Sequence, residues 1–162
     1  MAIEIERKFR VAGDAWRAVA EAGPKRYRQA YLAISDRAVV RVRVEKGAAA
    51  AWLCIKEHKV GAARAEFEYP VPTADARALL RLATGEVVEK YRHLAHVDGH
   101  VWEVDEFLGA NAGLLVAEIE LGTEDESFSR PDWLGAEVTR DERYYNANLA
   151  MTPFRDWEAN SS

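Results

Sequence analysis

The sequence predicts an α+β domain that is mainly β, with its strands in one antiparallel sheet that must close on itself or pack to protect its edges. Three observations carry this. About eight segments of strand length follow one another within 162 residues, most of them joined by short turns. Six of these segments alternate charged and apolar residues, the two-residue period of a strand whose faces meet different surroundings. The helical stretches are few and short.

In the opening "IEIERKF", Glu4, Glu6 and Lys8 share one face and Ile3, Ile5 and Phe9 the other. Asp14 is placed to cap a helix running to Ala22, stopped by Gly23-Pro24. Segments 26–35, 37–46 and 50–59 read as consecutive strands, broken at Ser35-Asp36 and in the Gly47-Ala-Ala-Ala stretch. Residues 64–71 form another, ended by Pro70 and Pro72. Thr73 begins a helix, "TADARALLRLA", closed by Gly85. Segments 86–97 and 100–108 flank Asp98-Gly99, a two-residue hairpin signal, and 114–122 is the last long strand. "TEDE" and "TRDE" fit the capping box, which predicts short helices near Thr123 and Thr139. No repeat, linker or low-complexity run divides the chain. Residues 1–162 read as a single domain, with 152–162 a C-terminal tail of no clear pattern.

The charged faces recur along the chain. Arg41 and Arg43 alternate with Val40, Val42 and Val44, and Arg64, Glu66 and Glu68 with Phe67 and Tyr69. Lys90 pairs with Arg92, Glu103 with Asp105, and Glu118 with Glu120, while "LCIKEH" contributes Lys56. A sandwich with its charges in water and a barrel with its charges inside both fit this alternation. Two details favour the barrel. Solvent-facing strands usually mix in Thr, Ser, Gln and Asn, whereas these faces are dominated by ionisable groups. The charges also segregate by strand, acidic at 4/6, 103/105 and 118/120 and basic at 41/43 and 90/92. Isolated charges are costly to bury, so a charged interior needs partners. Lys8, Arg41, Arg43, Lys56, Lys90, Arg92 and Arg143 face Glu4, Glu6, Glu66, Glu68, Glu103, Asp105, Glu118 and Glu120. A polyphosphate with one or two divalent ions completes that balance. Carboxylates are the hard oxygen ligands that Mg²⁺ and Mn²⁺ prefer, and the guanidinium fork of Arg grips phosphate oxygens.

Net charge is −5, and no exposed basic stripe stands out, which argues against a nucleic-acid partner. Cys54 is the sole cysteine, so neither an intrachain disulfide nor a thiolate metal cluster can form, and it reads as a small buried hydrophobe. The amino-terminal residues lack the apolar core of a signal peptide, and no apolar run has membrane-spanning length. The expectation is a cytoplasmic protein with no membrane partner. His58, His93, His96 and His100 share no spacing and read as surface residues.

"EIERKF" matches the ExExK signature of the CYTH superfamily, the triphosphate tunnel metalloenzymes, and "RQAYL", "VVRVRV", "CIKE", "VEKYRH", "WEVDEF", "VAEIEL" and "EVTRDERYYNANLA" continue the likeness along nearly the whole chain. The sequence most resembles the short bacterial inorganic triphosphatases. The resemblance implies a closed eight-stranded antiparallel tunnel, with short helices packed outside and at one mouth, that binds triphosphate compounds with Mg²⁺ or Mn²⁺. It implies Glu4, Glu6, Glu118 and Glu120 as metal ligands, with Asp105 contributing directly or through water and Glu66 and Glu103 aiding a second ion. Lys8, Arg41, Arg43, Lys56, Lys90 and Arg92 would grip phosphates, and Arg143 would complete the set from a C-terminal helix that caps one mouth. Lys8 and Tyr31 are the candidates for acting on the attacking water. Arg64 and Glu68 read as a structural pair near the rim.

The implied activity is metal-dependent hydrolysis of the terminal phosphate of a small-molecule triphosphate, inorganic tripolyphosphate first. The alternatives are cyclisation of ATP to cAMP and pyrophosphate, with Trp52, Trp102 or Tyr31 stacking on adenine, and hydrolysis of thiamine or nucleoside triphosphates. A non-catalytic polyphosphate binder is a reading from another class, which the complete acidic set opposes. The resemblance is also compatible with a homodimer joined through an outer strand face.

Overall fold

The computed structural model describes residues 3–157. Nine strands carry the fold: β1 (Ile3–Val11), β2 (Lys25–Ile34), β3 (Ala38–Glu45), β4 (Ala51–Glu57), β5 (Ala63–Pro70), β6 (Val88–Val97), β7 (His100–Phe107), β8 (Leu115–Glu120) and β9 (Leu134–Glu137). Two α-helices, α1 (Thr73–Leu80) and α2 (Asn146–Met151), are joined by 3-10 turns at Ala15–Val19, Gly109–Asn111, Glu142–Tyr144 and Phe154–Asp156. No described helix is long and apolar enough to cross a membrane.

Eight strands close into an antiparallel barrel in the order β1-β5-β4-β3-β2-β6-β7-β8 and back to β1. Strand β1 serves two neighbours on one side. Its Ile3–Ile5 segment pairs with β5, while Phe9 and Val11 pair with the extra strand β9, across a break in register. Asp98 and Gly99 both have positive φ, 46° and 82°, which is the two-residue turn expected between β6 and β7.

Alternation along each strand sends apolar residues outward into two clusters. In the first, Phe9, Trp102, Val104 and Ile119 are covered by Trp16 and Trp133, with Trp102 edge-on to both Phe9 and Trp133. In the second, Ala30, Val42, Val44 and Ala51 lie beneath Ala76 and Leu80 of α1. Each large side chain buried this way contributes about 1.5–3 kcal/mol. A third cluster belongs to the interior. Val39, Val88, Phe107 and Val116 sit in the inward register at one end of their strands, and they pack with Tyr31, Tyr144 and Leu149. The lumen therefore changes from charged to apolar towards one mouth, and α2 plugs that mouth. Phe154 and Trp157 pack onto the same cluster, so the expected tail is structured as far as it is described; residues 158–162 lie outside the described residues.

Four expectations change. The 14–22 helix is a short 3-10 turn with Trp16 as its buried anchor, cut short by the bridge from Ala20 to Ala95. No helix forms at Thr123, where the Glu126 carboxylate accepts from the Gly122 amide and pairs with His100 instead. The helix from Thr73 stops at Leu80, and Gly85 does not close it. Gly85 instead has φ 76° and abuts α2, where a Cβ would collide with the Ala150 carbonyl. The ninth strand, "LGAE", is too short to show alternation in the sequence.

Candidate active site

Adjacent strands β7, β8 and β1 bring the acidic residues together. Glu103 stands opposite Glu118 across the β7–β8 pair, and Glu120 stands opposite Glu6 across β8–β1. Like charges directly opposite in a sheet are destabilising. Two lysines partly offset them. Lys8 Nζ lies 3.4 Å from Glu118, and Lys56 Nζ lies 3.1 Å from Glu4, 3.4 Å from Glu66 and 3.9 Å from Glu6. Burial raises the Glu103 carboxyl above its ordinary value; Arg92 opposes the shift, and Glu118, Asp105 and Glu6 add to it. A set of carboxylates this dense, with like charges face to face, fits a hard divalent cation such as Mg²⁺ or Mn²⁺. Burial works against the charge of Lys8, but Glu118 and Glu6 outweigh it and hold the ammonium above its usual range.

Strand β3 lies four places from β8 around the ring, so Arg41 and Arg43 face the acidic wall from across the lumen. Both are inward-facing, as are Lys90 and Arg92 on β6. Burial pushes Arg43 down to about 10, and its neighbours Arg41 and Arg92 add to the shift. Burial pushes Lys90 down to about 7; Asp105 opposes the shift, and Arg92 and Arg43 reinforce it. Among the described residues the buried Arg41 Nε has no hydrogen-bond partner. Cations crowded to this degree favour a polyanion between them. The cavity they enclose with the acidic wall measures about 250 Å³.

The remaining expected residues fall into place unevenly. Tyr31 is buried on the lumen wall, close enough to Lys8, Arg41 and Arg43 to act on their charges. Asp105 is fully buried and off the cavity surface. Its oxygens accept from Arg92 Nε at 2.8 Å, Arg92 Nη2 at 2.9 Å and Lys90 Nζ at 2.7 Å, so cations take the positions expected for a metal or its water. Arg143 is not in the lumen at all. It projects from the Glu142–Tyr144 turn with its side chain 65% exposed and pairs with Asp141 at 2.7 Å. The turn aims it outward over Trp157, because the buried Tyr144 occupies the inner side.

Several side chains reach the lumen that the sequence reading had not put there. Arg64 lies 5.0 Å above the Tyr145 ring and lines the cavity, so it is not the rim partner of Glu68. Glu68 instead lies 3.7 Å from Arg41. Asn146, the first residue of α2, projects into the charged lumen beside Lys90. Arg64 shares the inward parity of Glu66 and Glu68, a signal present in the sequence; Asn146 carried none. The Cys54 thiol is buried as expected but faces inward, within 4.8 Å of carboxylate oxygens of Glu66 and Glu68. His93 is buried against Trp16 and paired with Glu106, not on the surface, and His58 lines the cavity beside the turn between β2 and β3, with Nδ1 on the Ser35 carbonyl. Trp102 lies wholly within an outer cluster and cannot reach a ligand in the lumen.

The family description "CYTH domain" matches residues 2–150. An inorganic triphosphatase of Acetivibrio thermocellus is 44% identical over 161 residues, covering 98% of this chain and 99% of that protein. An inorganic triphosphatase of Nitrosomonas europaea is 32% identical over 152 residues, covering 92% of this chain and 97% of that protein. The crystal structure of the inorganic triphosphatase NE1496 superposes with a TM-score of 0.66 at 32% identity, covering 93% of this chain and 96% of that one.

Proposed function

This chain belongs to the CYTH domain family, and on that premise we propose that it is a metal-dependent hydrolase that cleaves inorganic tripolyphosphate to pyrophosphate and orthophosphate. The observation that carries the reading is the opposition of two walls: Glu103, Glu118, Glu120 and Glu6 in face-to-face register, and Arg41 and Arg43 four strands away. A polyanion would neutralise the basic wall, and the acidic wall would hold a divalent cation close to it.

Glu4, Glu6, Glu118 and Glu120 would hold Mg²⁺ or Mn²⁺, with Glu103 and Glu66 at the margin. A bound ion of this kind neutralises phosphate oxygens and acidifies a coordinated water. Arg41, Arg43, Lys90 and Arg92 hold the triphosphate in line and neutralise charge that develops on its oxygens; positioning and charge stabilisation are the main demands of phosphoryl transfer. Lys56, held among Glu4, Glu6 and Glu66, would be free to turn to phosphate if a dication took over those carboxylates. Lys8 contributes a fixed positive charge, and the Tyr31 hydroxyl orients the attacking water from the opposite wall. The plugged mouth and the displacement of Trp102 from the lumen favour a compact inorganic substrate over a nucleotide.

The test is product analysis with tripolyphosphate, thiamine triphosphate and ATP in Mg²⁺, Mn²⁺ or EDTA. Orthophosphate released fastest from tripolyphosphate, abolished by EDTA and by Glu4→Gln, is the expected result. cAMP and pyrophosphate from ATP would replace hydrolysis by cyclisation, and binding without turnover would make the chain a sensor.

The partner we assign beyond the substrate is a second copy of the chain, joined through the outer face of β4 and β5. Val40, Ile55 and Phe67 form one uncharged row across β3–β5, and Val42, Leu53 and Tyr69 the next. Ile55, Phe67 and Tyr69 remain 37, 37 and 53% exposed, an apolar strip on a protein whose net charge of −5 would otherwise keep copies apart. Sedimentation should give a dimer that Phe67→Lys converts to monomer; a wild-type monomer at high concentration rejects the pairing.

A further inference from the structure

We propose that the side-chain amide of Asn146 is a phosphate-binding group of the lumen, its NH₂ held towards the substrate by Gln29 and Lys90; the inference rests on the triphosphate reading of the same cavity.

The orientation is dictated by donors. Arg43 Nε can only donate, and it does so to Gln29 Oε1 at 3.0 Å. The amide of Gln29, which is fully buried, is thereby fixed with its nitrogen on the other side, where Nε2 donates to Asn146 Oδ1 at 2.8 Å. Lys90 Nζ donates to the same oxygen at 2.9 Å. Two donors from the barrel wall thus hold the Asn146 oxygen, and a reversed amide would set NH₂ against NH₂ and ammonium. Its Nδ2 is left without a hydrogen bond among the described residues, on a side chain that lines the cavity.

The neighbours of that free NH₂ are the groups that hold phosphate. Among the described residues Arg43 spends Nε on Gln29 and neither terminal nitrogen on a hydrogen bond, while Lys90 spends two of its three donors on Asp105 and Asn146. A neutral amide adds a donor here without adding to the repulsion from neighbouring guanidiniums, which reinforces the burial that depresses Arg43 and Lys90. The plug at the mouth then does more than close it. It supplies a ligand that Arg143, on the outer side, cannot.

The experiment compares Asn146→Asp, Asn146→Ala and Asn148→Asp by steady-state kinetics with tripolyphosphate and Mg²⁺, and by tripolyphosphate-induced thermal stabilisation in EDTA. Asp at 146 keeps an oxygen for Gln29 and Lys90, so the ligand-free melting temperature should hold or rise, while an anion replaces the donor. Asn146→Ala should raise KM by about 10-fold, the size of one lost hydrogen bond to a charged group, with kcat changed much less. Asn146→Asp should raise KM further and abolish stabilisation by tripolyphosphate. Asn148→Asp, two residues on in α2 and also facing the cavity, controls for added charge and should have the smaller effect. Equal losses at 146 and 148, or an unchanged KM in Asn146→Ala, would overturn the assignment. Wild-type protein that binds tripolyphosphate without cleaving it leaves the assignment standing and removes only the hydrolase reading; protein that does neither removes both.

Discussion

Asp105 holds Arg92 by two parallel hydrogen bonds, Nε at 2.8 Å and Nη2 at 2.9 Å, on the inward face of the barrel and wholly buried. The guanidinium is thereby fixed in plane before any substrate arrives, and Lys90 is tied to the same carboxylate at 2.7 Å. Burial alone would raise the Asp105 carboxyl, but Arg92 and Lys90 outweigh it and hold it below the usual range. Asp105→Asn leaves a half-dissolved buried pair, a change that costs about 3–5 kcal/mol. Denaturant unfolding should show a loss of this size. Activity measured well below the new midpoint should show a raised KM for tripolyphosphate, because Arg92 is no longer held in position.

The outward aim of Arg143 and the inward aim of Arg64 make opposite predictions. Arg143→Ala should leave kcat and KM for tripolyphosphate within about twofold of wild type, since the exposed pair with Asp141 is worth little. Arg64→Ala should raise KM by about 10-fold, the cost of one lost charge-assisted contact. Paired kinetics on the two variants check this, and a larger effect from Arg143 would place that residue back among the phosphate ligands.

The face-to-face pairs Glu103/Glu118 and Glu6/Glu120 store repulsion that a dication relieves. Adding Mg²⁺ should therefore raise the melting temperature with a logarithmic dependence on its concentration, and EDTA should reverse the rise. Glu118→Gln removes one charge from the wall. It should bring the ligand-free protein closer to the stability of the Mg²⁺-bound form and weaken the response to Mg²⁺.

Strand β9 is fastened to β1 by Arg7, whose Nε and Nη2 donate to Glu137 at 2.9 and 2.6 Å. The hydrogen bond from Arg7 holds the Glu137 carboxyl below its ordinary value; burial opposes the shift, and Thr139 adds to it. A depressed folded-state pKa contributes stability that is complete above the unfolded value, about 4.3, and is lost as pH falls through the lower folded value. Unfolding free energy should decline as pH is lowered from about 5, and the decline should be shallower in Glu137→Gln. Urea titrations at a series of pH values measure both slopes.

Much of the site was written in strand parity. Glu4, Glu6 and Lys8, or Arg41 and Arg43, fall on one side of any strand by alternation alone, so the charged face of each strand was readable before the fold was known. Asp105 shares the parity of Glu103 but not its surroundings. Its neighbour across β6–β7 is Arg92, and only that register turns a candidate metal ligand into the partner that fixes the Arg92 guanidinium. Arg143 illustrates the opposite difficulty. A cation in a turn has no parity, and its direction follows from Tyr144 taking the buried side. Asn146 was silent for the same reason.

Alternating charge marked the strands, their two faces and the acidic and basic assignment of each, because the pleat repeats every two residues and burying apolar faces requires that repeat to be kept. The closure of the ring, the face-to-face meeting of Glu103 with Glu118, the plug formed by α2 and the chain of donors from Arg43 through Gln29 to Asn146 depend on pairings between residues as much as 117 positions apart. Those pairings come from the summed packing of three apolar clusters and the hydrogen-bond register between strands. Neither quantity is a property of any local stretch of chain.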